Sequence, residues 1–266
     1  MKTNYHTHTV FCDGSATARR MVEAAIEKGF DAIGFSSHSD IVEDIGAYKA
    51  EIRSLAAEYA GRIAILCGVE AEYDTGFPRG DLDYVIGSTH YLRAPGGERL
   101  SFDHTPQILA DGIRDLFGGD SAAFVRAYFA QEREMIERYD CDVIGHVDLV
   151  RKFNLKHPFF DETARWYREE LVKTADAVAA SGKIVEVNTG AIARGWQIDA
   201  YPSVEMRSLL RERGVKFILS SDAHAPETLD FAFDRFASVE NYVTDPRHGG
   251  IKYSTKHGNS HEKRGP

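Results

Sequence analysis

The chain has 266 residues, 43% of them apolar and 27% charged, which fits one large globular domain or two small ones and excludes a disordered or collagen-like chain. A net charge of -9 at pH 7 argues against a nucleic-acid-binding or anionic-membrane surface, though not against a local anion site. The longest apolar runs, such as 63–69, fall far short of the ~18 residues a membrane-spanning helix needs.

The start MKTNYHTHTV is polar and shows no secretory pattern. Cys12, Cys67 and Cys141 form no CxxC pair and read as small buried hydrophobes in a reducing cytoplasm. In chain order, a short β-like run over 2–5 leads into His6-Thr7-His8. Ser15 or Thr17 can then cap a helix carrying Met21, Val22, Ala25 and Ile26, closed by Gly29. The second run, 30–35, ends in Ser36-Ser37-His38-Ser39-Asp40. A helix with Ile52, Leu55, Ala56 and Tyr59 at helical spacing stops at Gly61. The third run, 63–69, is continuously apolar, as a strand buried on both faces should be, and ends in Glu70. The fourth, 82–87, ends in Ser88-Thr89-His90.

From Tyr91 to about Asp120 the period is lost, and so long a connection is expected to be functional or mobile. Asp120 or Ser121 caps a helix with Phe124, Val125, Tyr128, Met135 and Ile136. The fifth run, 142–145, ends in His146-Val147-Asp148, and a helix over 162–180 follows. The sixth, 183–187, contains Glu186 and ends at Asn188. Ser203 caps a helix that closes at Gly214. The seventh run, 215–219, ends in Ser220-Ser221-Asp222-Ala223-His224, and a last helix is expected over 229–236. Strands alternating with helices point to repeated βα units and a parallel sheet. No linker divides the chain, which reads as one barrel domain over 1–244 and a loosely attached tail over 245–266.

Six of the eleven histidines, His6, His8, His38, His90, His146 and His224, stand at or just past the ends of these runs. In a parallel barrel those ends share one mouth, where such barrels keep their chemistry. With Asp13, Glu70 and Asp222 they make nine candidate ligands, too many for one tetrahedral zinc and suited to two or three metals sharing carboxylates. Nitrogen and oxygen donors without thiolate favour Zn, Mn or Fe. Such a centre suits hydrolysis, because it acidifies water and neutralises charge on attacking and leaving oxygens. Asp40 and Asp148 compete as carboxylate ligands but could cap the segments that follow. Glu186 is assigned a supporting role. His104 is either a contact of the segment over the mouth or a solvated loop residue. His157, His248, His257 and His261 are read as solvated. Asp222 and His224 could act as an acid–base pair as well as ligands.

These residues resemble the PHP (polymerase and histidinol phosphatase) superfamily. The match runs through His6-x-His8, His38, Glu70 in Gly68-Val69-Glu70, Gly87-Ser88-Thr89-His90, Gly145-His146-Val147-Asp148 and Ser221-Asp222-Ala223-His224, over residues 1 to about 240. Ser37 stands where the second motif commonly carries Asp. The resemblance implies an α/β fold, a distorted (β/α)7 TIM-like barrel, with three divalent or trivalent metal ions at the C-terminal ends of the strands. Phe102-Asp103-His104 and Glu186-Val187-Asn188-Thr189-Gly190 followed by Arg194 are similar to the stand-alone histidinol-phosphatases of histidine biosynthesis. In that family arginines on late barrel loops hold the substrate phosphate, and Arg194 and Arg151 match those places; a planar guanidinium donates bidentately to phosphate oxygens.

The expected activity is therefore a cytoplasmic metal-dependent phosphomonoesterase that converts L-histidinol phosphate to L-histidinol and phosphate. Asp222 or His224 would manage protons, and Asp103 or Glu72 would receive the substrate's cationic end, with His104 nearby. The alternative is a phosphoesterase of the same superfamily acting on nucleoside bisphosphates or short oligonucleotides. A metal-dependent amidohydrolase and a metal-stabilised binding module are weaker rivals, since no strand here ends in a bridging lysine. A small phosphate ester is the expected partner, with neither membrane nor nucleic acid.

Overall fold

The computed structural model describes residues 1–236 and 242–247. Among them, seven parallel strands form one sheet in chain order: β1 (Thr3–Asn4), β2 (Ala32–Phe35), β3 (Ala64–Glu72), β4 (Tyr84–Ser88), then, after a two-stranded hairpin of β5 (Tyr91–Arg93) and β6 (Arg99–Ser101), β7 (Val143–Ile144), β8 (Ile184–Asn188) and β9 (Phe217–Ser220). Thr7 bridges Ala223, with His8 N donating to the Ala223 carbonyl at 2.8 Å, so the segments beyond the first and last strands pair and nearly close the sheet into a barrel. The expected distorted seven-stranded α/β barrel is the fold observed.

The crossovers are helical because their sequences carry an apolar stripe, in most of them behind a polar N-cap; the helix that starts after Ala164 has no side-chain cap. Thr17 accepts from Arg20 N at the start of α1 (Ala18–Glu27), and Asp44 from Ala47 N at the start of α2 (Ile45–Glu58). After α3 (Pro106–Leu116) come α4 (Ser121–Arg138), capped by Asp120, α5 (Arg165–Ser181), the single turn α6 (Gly190–Ala193) and α7 (Val204–Glu212), capped by Ser203. α5 ends at Gly182 with φ +67°, a backbone conformation that costs glycine nothing.

Two expectations need correction. Residues 91–120 are not without period: they fold into the hairpin and α3, which has Thr105 as its cap and Pro106 in its first turn. The helix expected over 229–236 is instead two 3-10 turns, Pro226–Thr228 and Phe233–Arg235, because Ala232 takes a left-handed φ of +58° between them. Of the expected tail, residues beyond 247, with His248, His257 and His261, lie outside the described residues.

Inside the barrel, Tyr5, Leu66, Tyr84, Ile86, Val143, Ile184 and Ile218 form a plug separate from the larger core under the helices. Tyr84 lies across it, its hydroxyl donating to the carbonyls of Tyr5 at 2.6 Å and Phe35 at 3.0 Å. Gly34 and Gly68 make the space: a Cβ on either would stand 2.5 Å from the Tyr84 phenol. The plug fills the barrel below the C-terminal mouth, so the polar groups of β1, β3, β8 and β9 collect above it.

Candidate metal centre

Period-two geometry builds the site. His6 and His8 point into the mouth while Thr7, between them, turns to the wall and donates to the Gly34 carbonyl at 2.7 Å. Glu70 projects from β3 into the middle of the cluster. His38 follows β2, held by the bridge between His38 and Glu70; His90 follows β4, His146 follows β7, and Asp222 and His224 follow β9.

Glu70 is the hub, with only 1% of its side chain exposed. One oxygen lies 3.2 Å from His6 Nε2, 3.5 Å from His8 Nε2 and 3.1 Å from His38 Nδ1; the other lies 3.2 Å from His90 Nε2 and 2.9 Å from His146 Nε2. Burial alone would raise its carboxyl, but His6, His38 and His90 outweigh it and hold Glu70 well below the usual carboxylate range. Asp222 lies 3.3 Å from His8 Nε2 and 3.8 Å from His6 Nε2. Asp13 reaches across from the loop after β1, 3.2 Å from His224 Nε2 and 3.8 Å from both His8 Nδ1 and His38 Nε2. All nine expected ligands therefore stand at one mouth.

Three overlapping groups have ligand atoms within 4.8 Å of one another: His8, Asp13, His38 and His224; His6, His8 and Asp222; His38, Glu70 and His90. Cations fit this donor set. The buried Nε2 atoms of His6 and His8 have no hydrogen-bond partner among the described residues, and an orphaned ring nitrogen facing carboxylates suits a cation. The donors of the three groups are imidazole and carboxylate; Cys12, 3.5 Å from His8 Nδ1 with its thiol pushed up by burial, belongs to none of them.

The far sides of the imidazoles are also held. Glu186, fully buried, accepts from His6 Nδ1 at 2.8 Å and Ser220 Oγ at 2.6 Å with one oxygen, and from His146 N at 2.7 Å and Asn188 Nδ2 at 2.8 Å with the other. Glu72 likewise takes His90 Nδ1 at 3.0 Å and His90 N at 2.9 Å. A carboxylate on the remote ring N–H fixes the tautomer and leaves Nε2 as the ligand atom. Burial disfavours the imidazolium of His6, yet Glu186, Glu70 and Asp222 outweigh it and keep its pKa well above the ordinary value; in His8 burial wins, with His224 and His38 adding to it, and the pKa falls.

A cavity of about 280 Å³ opens over the cluster. Arg194, at the end of α6, grips Asp222 with Nη1 at 3.1 Å and Nη2 at 3.0 Å, and its Nη2 lies 2.8 Å from His224 Nδ1. Gly190 is needed for that approach, since a Cβ there would meet Arg194 Nη1 at 2.5 Å. Asp222 has a left-handed φ of +50°, a costly backbone for a residue other than glycine, at the point where its side chain enters the cluster. On the opposite wall Asp103 pairs with Lys152 Nζ at 3.2 Å, and the exposed His104 sits beside them at the mouth.

Three expectations change here. Arg151 is absent from the cavity wall; it is buried, bonded to Glu162 at 3.0 Å, and its place facing the cavity is taken by Lys152. Consecutive residues of a 3-10 turn point in different directions, and the sequence does not say which faces in. Glu72 cannot receive a substrate cation, being buried with its oxygens engaged by His90 and Asp74 N. Asp148 accepts from Ser203 N at 2.7 Å, away from the cluster. Sequence reasoning missed Lys152 and the role of Glu72 toward His90; the alternation of β3, which points Glu70 and Glu72 the same way, was the available signal for the latter.

Among the described residues no helix is long and apolar enough to cross a membrane. The PHP domain family model matches residues 4–190. A Deinococcus radiodurans protein named probable histidinol-phosphatase is 30% identical over 95% of both chains. Of solved structures, the Listeria monocytogenes hisK protein, 21% identical, overlays with a TM-score of 0.78 over 88% of this chain and 100% of its own. A Lactococcus lactis histidinol phosphate phosphatase, complexed with zinc, L-histidinol and phosphate, overlays with a TM-score of 0.61 at 21% identity, over 85% of this chain and 87% of its own. The family match over most of the barrel and the end-to-end relative agree with the cluster: the chain belongs to the PHP domain family, on its histidinol-phosphatase branch.

Proposed function

We propose that this chain is a cytoplasmic histidinol-phosphatase of histidine biosynthesis, hydrolysing L-histidinol phosphate to L-histidinol and phosphate. The observation that carries it is Glu70 facing five imidazoles at the floor of a cavity whose rim bears Arg194 and Lys152. His6, His8, Asp13, His38, Glu70, His90, His146, Asp222 and His224 would hold three ions of Zn, Mn or Fe. When bound, such ions lower the pKa of water and offset charge on the phosphoryl oxygens.

The protein's own groups do the rest. Arg194, whose Nη1 and Nη2 contact Asp222, brings a fixed guanidinium charge to the cavity wall, and Lys152 offers a point charge across the cavity. Together they steady charge that grows on the phosphoryl group as the ester bond breaks. Asp222 and His224 lie beside that position and can take and return the proton that the departing alkoxide needs. Asp103, its other oxygen free of hydrogen bonds to the described residues, is placed to receive the ammonium of histidinol, with His104 at the mouth.

Support comes from the relatives' names, from the ligand set of the Lactococcus lactis structure and from the cavity's mixed charge. The test is phosphate release by metal-loaded protein from a panel of esters. The reading expects L-histidinol phosphate to be turned over best; equal or faster release from nucleoside bisphosphates would contradict it.

A further inference from the structure

The hairpin β5–β6 forms one wall of the cavity through Tyr91 and Ser101, and the chain leaving it carries Asp103. A two-stranded ribbon is marginal alone in water and must be held to keep a wall in place. Buried Leu92 and Leu100 pack it on the core, and two sets of polar contacts fix its position further. On one side Gln131 of α4 accepts from Arg93 N at 3.0 Å and donates to the Tyr91 carbonyl at 2.6 Å. On the other, Asp74, in the turn after β3, meets Arg93 Nε at 2.5 Å with one carboxylate oxygen and Arg99 Nε at 2.6 Å with the other. The Asp74 side chain is only 6% exposed, whereas those of Arg93 and Arg99 are 63% and 40% exposed. Loss of the arginines would strand a carboxylate away from water, so the contact outweighs an ordinary surface pair.

The same anchor reaches two cavity groups. The Arg99 guanidinium also lies 3.4 Å from the centroid of the Tyr91 ring, so it fixes that side chain against the cavity. Asp74 N donates to Glu72 Oε1 at 3.2 Å, and the other oxygen of Glu72 holds His90. One short segment thus ties this wall of the cavity to the support of a proposed metal ligand.

We propose that Asp74 is a positioning residue for substrate: through Arg93 and Arg99 it fixes the hairpin, and with it Tyr91, Ser101 and Asp103, at the spacing that the organic half of the phosphate ester requires. This rests on the phosphatase reading above. Neither arginine nor Asp74 touches substrate, so their effect falls on binding rather than on the chemical step.

The test compares full-length, metal-loaded wild type with D74N and with the R93Q/R99Q double variant. D74N keeps the backbone N–H to Glu72 and removes the charge that both arginines share. R93Q/R99Q breaks the same contact from the solvent side and reports even if D74N fails to fold. In both, KM for L-histidinol phosphate should rise at least about fivefold while kcat stays within about twofold, with metal content unchanged. E58Q, which breaks the exposed Arg19–Glu58 pair, should leave KM at the wild-type value and so shows what loss of a remote ion pair does. Unchanged KM in R93Q/R99Q, or a rise that tracks lost metal, would overturn the assignment. Wild type that releases phosphate from no ester would overturn the phosphatase reading instead.

Discussion

At the scale of single residues, the site depends on carboxylates that face imidazoles from two directions. Glu70 faces the proposed ligand nitrogens, while Glu186 and Glu72 hold remote ones. Replacing Glu186 with Gln keeps the volume but gives up the anionic acceptor for His6, and one amide cannot accept from all four donors that Glu186 now serves. The expected result is ~10–100-fold weaker metal binding, measured by competition with a chelator, with little change in secondary structure by circular dichroism. The histidines were legible in the sequence because a metal site on parallel strands must draw on successive strand ends, and their spacing recorded that. Orientation was less legible. Glu186 sits within a strand buried on both faces, so hydrophobic patterning could not tell inward from outward. Arg151 and Lys152 are adjacent charges on one turn, and only three-dimensional placement shows that Lys152 faces the cavity.

At the scale of elements, the βα repeats were visible because most of the long helices have a polar cap ahead of an apolar stripe, α5 with Ala164 at its start being the exception. The hairpin and α3 escaped for a physical reason: each hairpin strand is only three residues long, too short to show alternation, and the buried face of α3 is just Leu109, Gly112 and Ile113, with a glycine in its middle. The Thr105-Pro106 start was the overlooked signal. Thr105 accepts from Ile108 N at 3.1 Å, and T105A should cost about 1 kcal/mol in urea unfolding. The barrel plug gives a larger effect. In G68A the new methyl meets the Tyr84 ring at 2.5 Å, where neither the ring nor the strand can yield without losing the hydroxyl bonds to Tyr5 and Phe35. A loss of ~1–3 kcal/mol is expected from overpacking, and a midpoint equal to wild type would show that the plug is looser than described.

At the scale of the whole molecule, stability should respond to pH through a carboxyl whose burial outweighs the pull of nearby His90. Glu132 of α4 is 1% exposed, neither of its oxygens has a hydrogen-bond partner among the described residues, and burial pushes its pKa up from 4.5 to about 8. Between those values the folded chain keeps a proton that the unfolded chain releases, so this group's contribution to stability falls as pH rises from 4.5 to 8. E132Q lacks the titration, so its melting temperature relative to wild type should climb across that window; a constant difference would contradict the assignment.

Metal should act on the whole fold as well. Ions that bind only the folded barrel stabilise it by mass action, so chelation should lower the melting temperature and abolish phosphate release together. Whether the residues around Glu70 form a catalytic metal centre is tested by elemental analysis of protein purified without chelator, paired with turnover of L-histidinol phosphate by wild type and H90A. Wild type should carry three ions per chain, as the three overlapping ligand groups among the described residues allow, and H90A should lose both metal and turnover. Wild type with no bound metal, together with turnover unchanged in H90A, would contradict a catalytic metal centre.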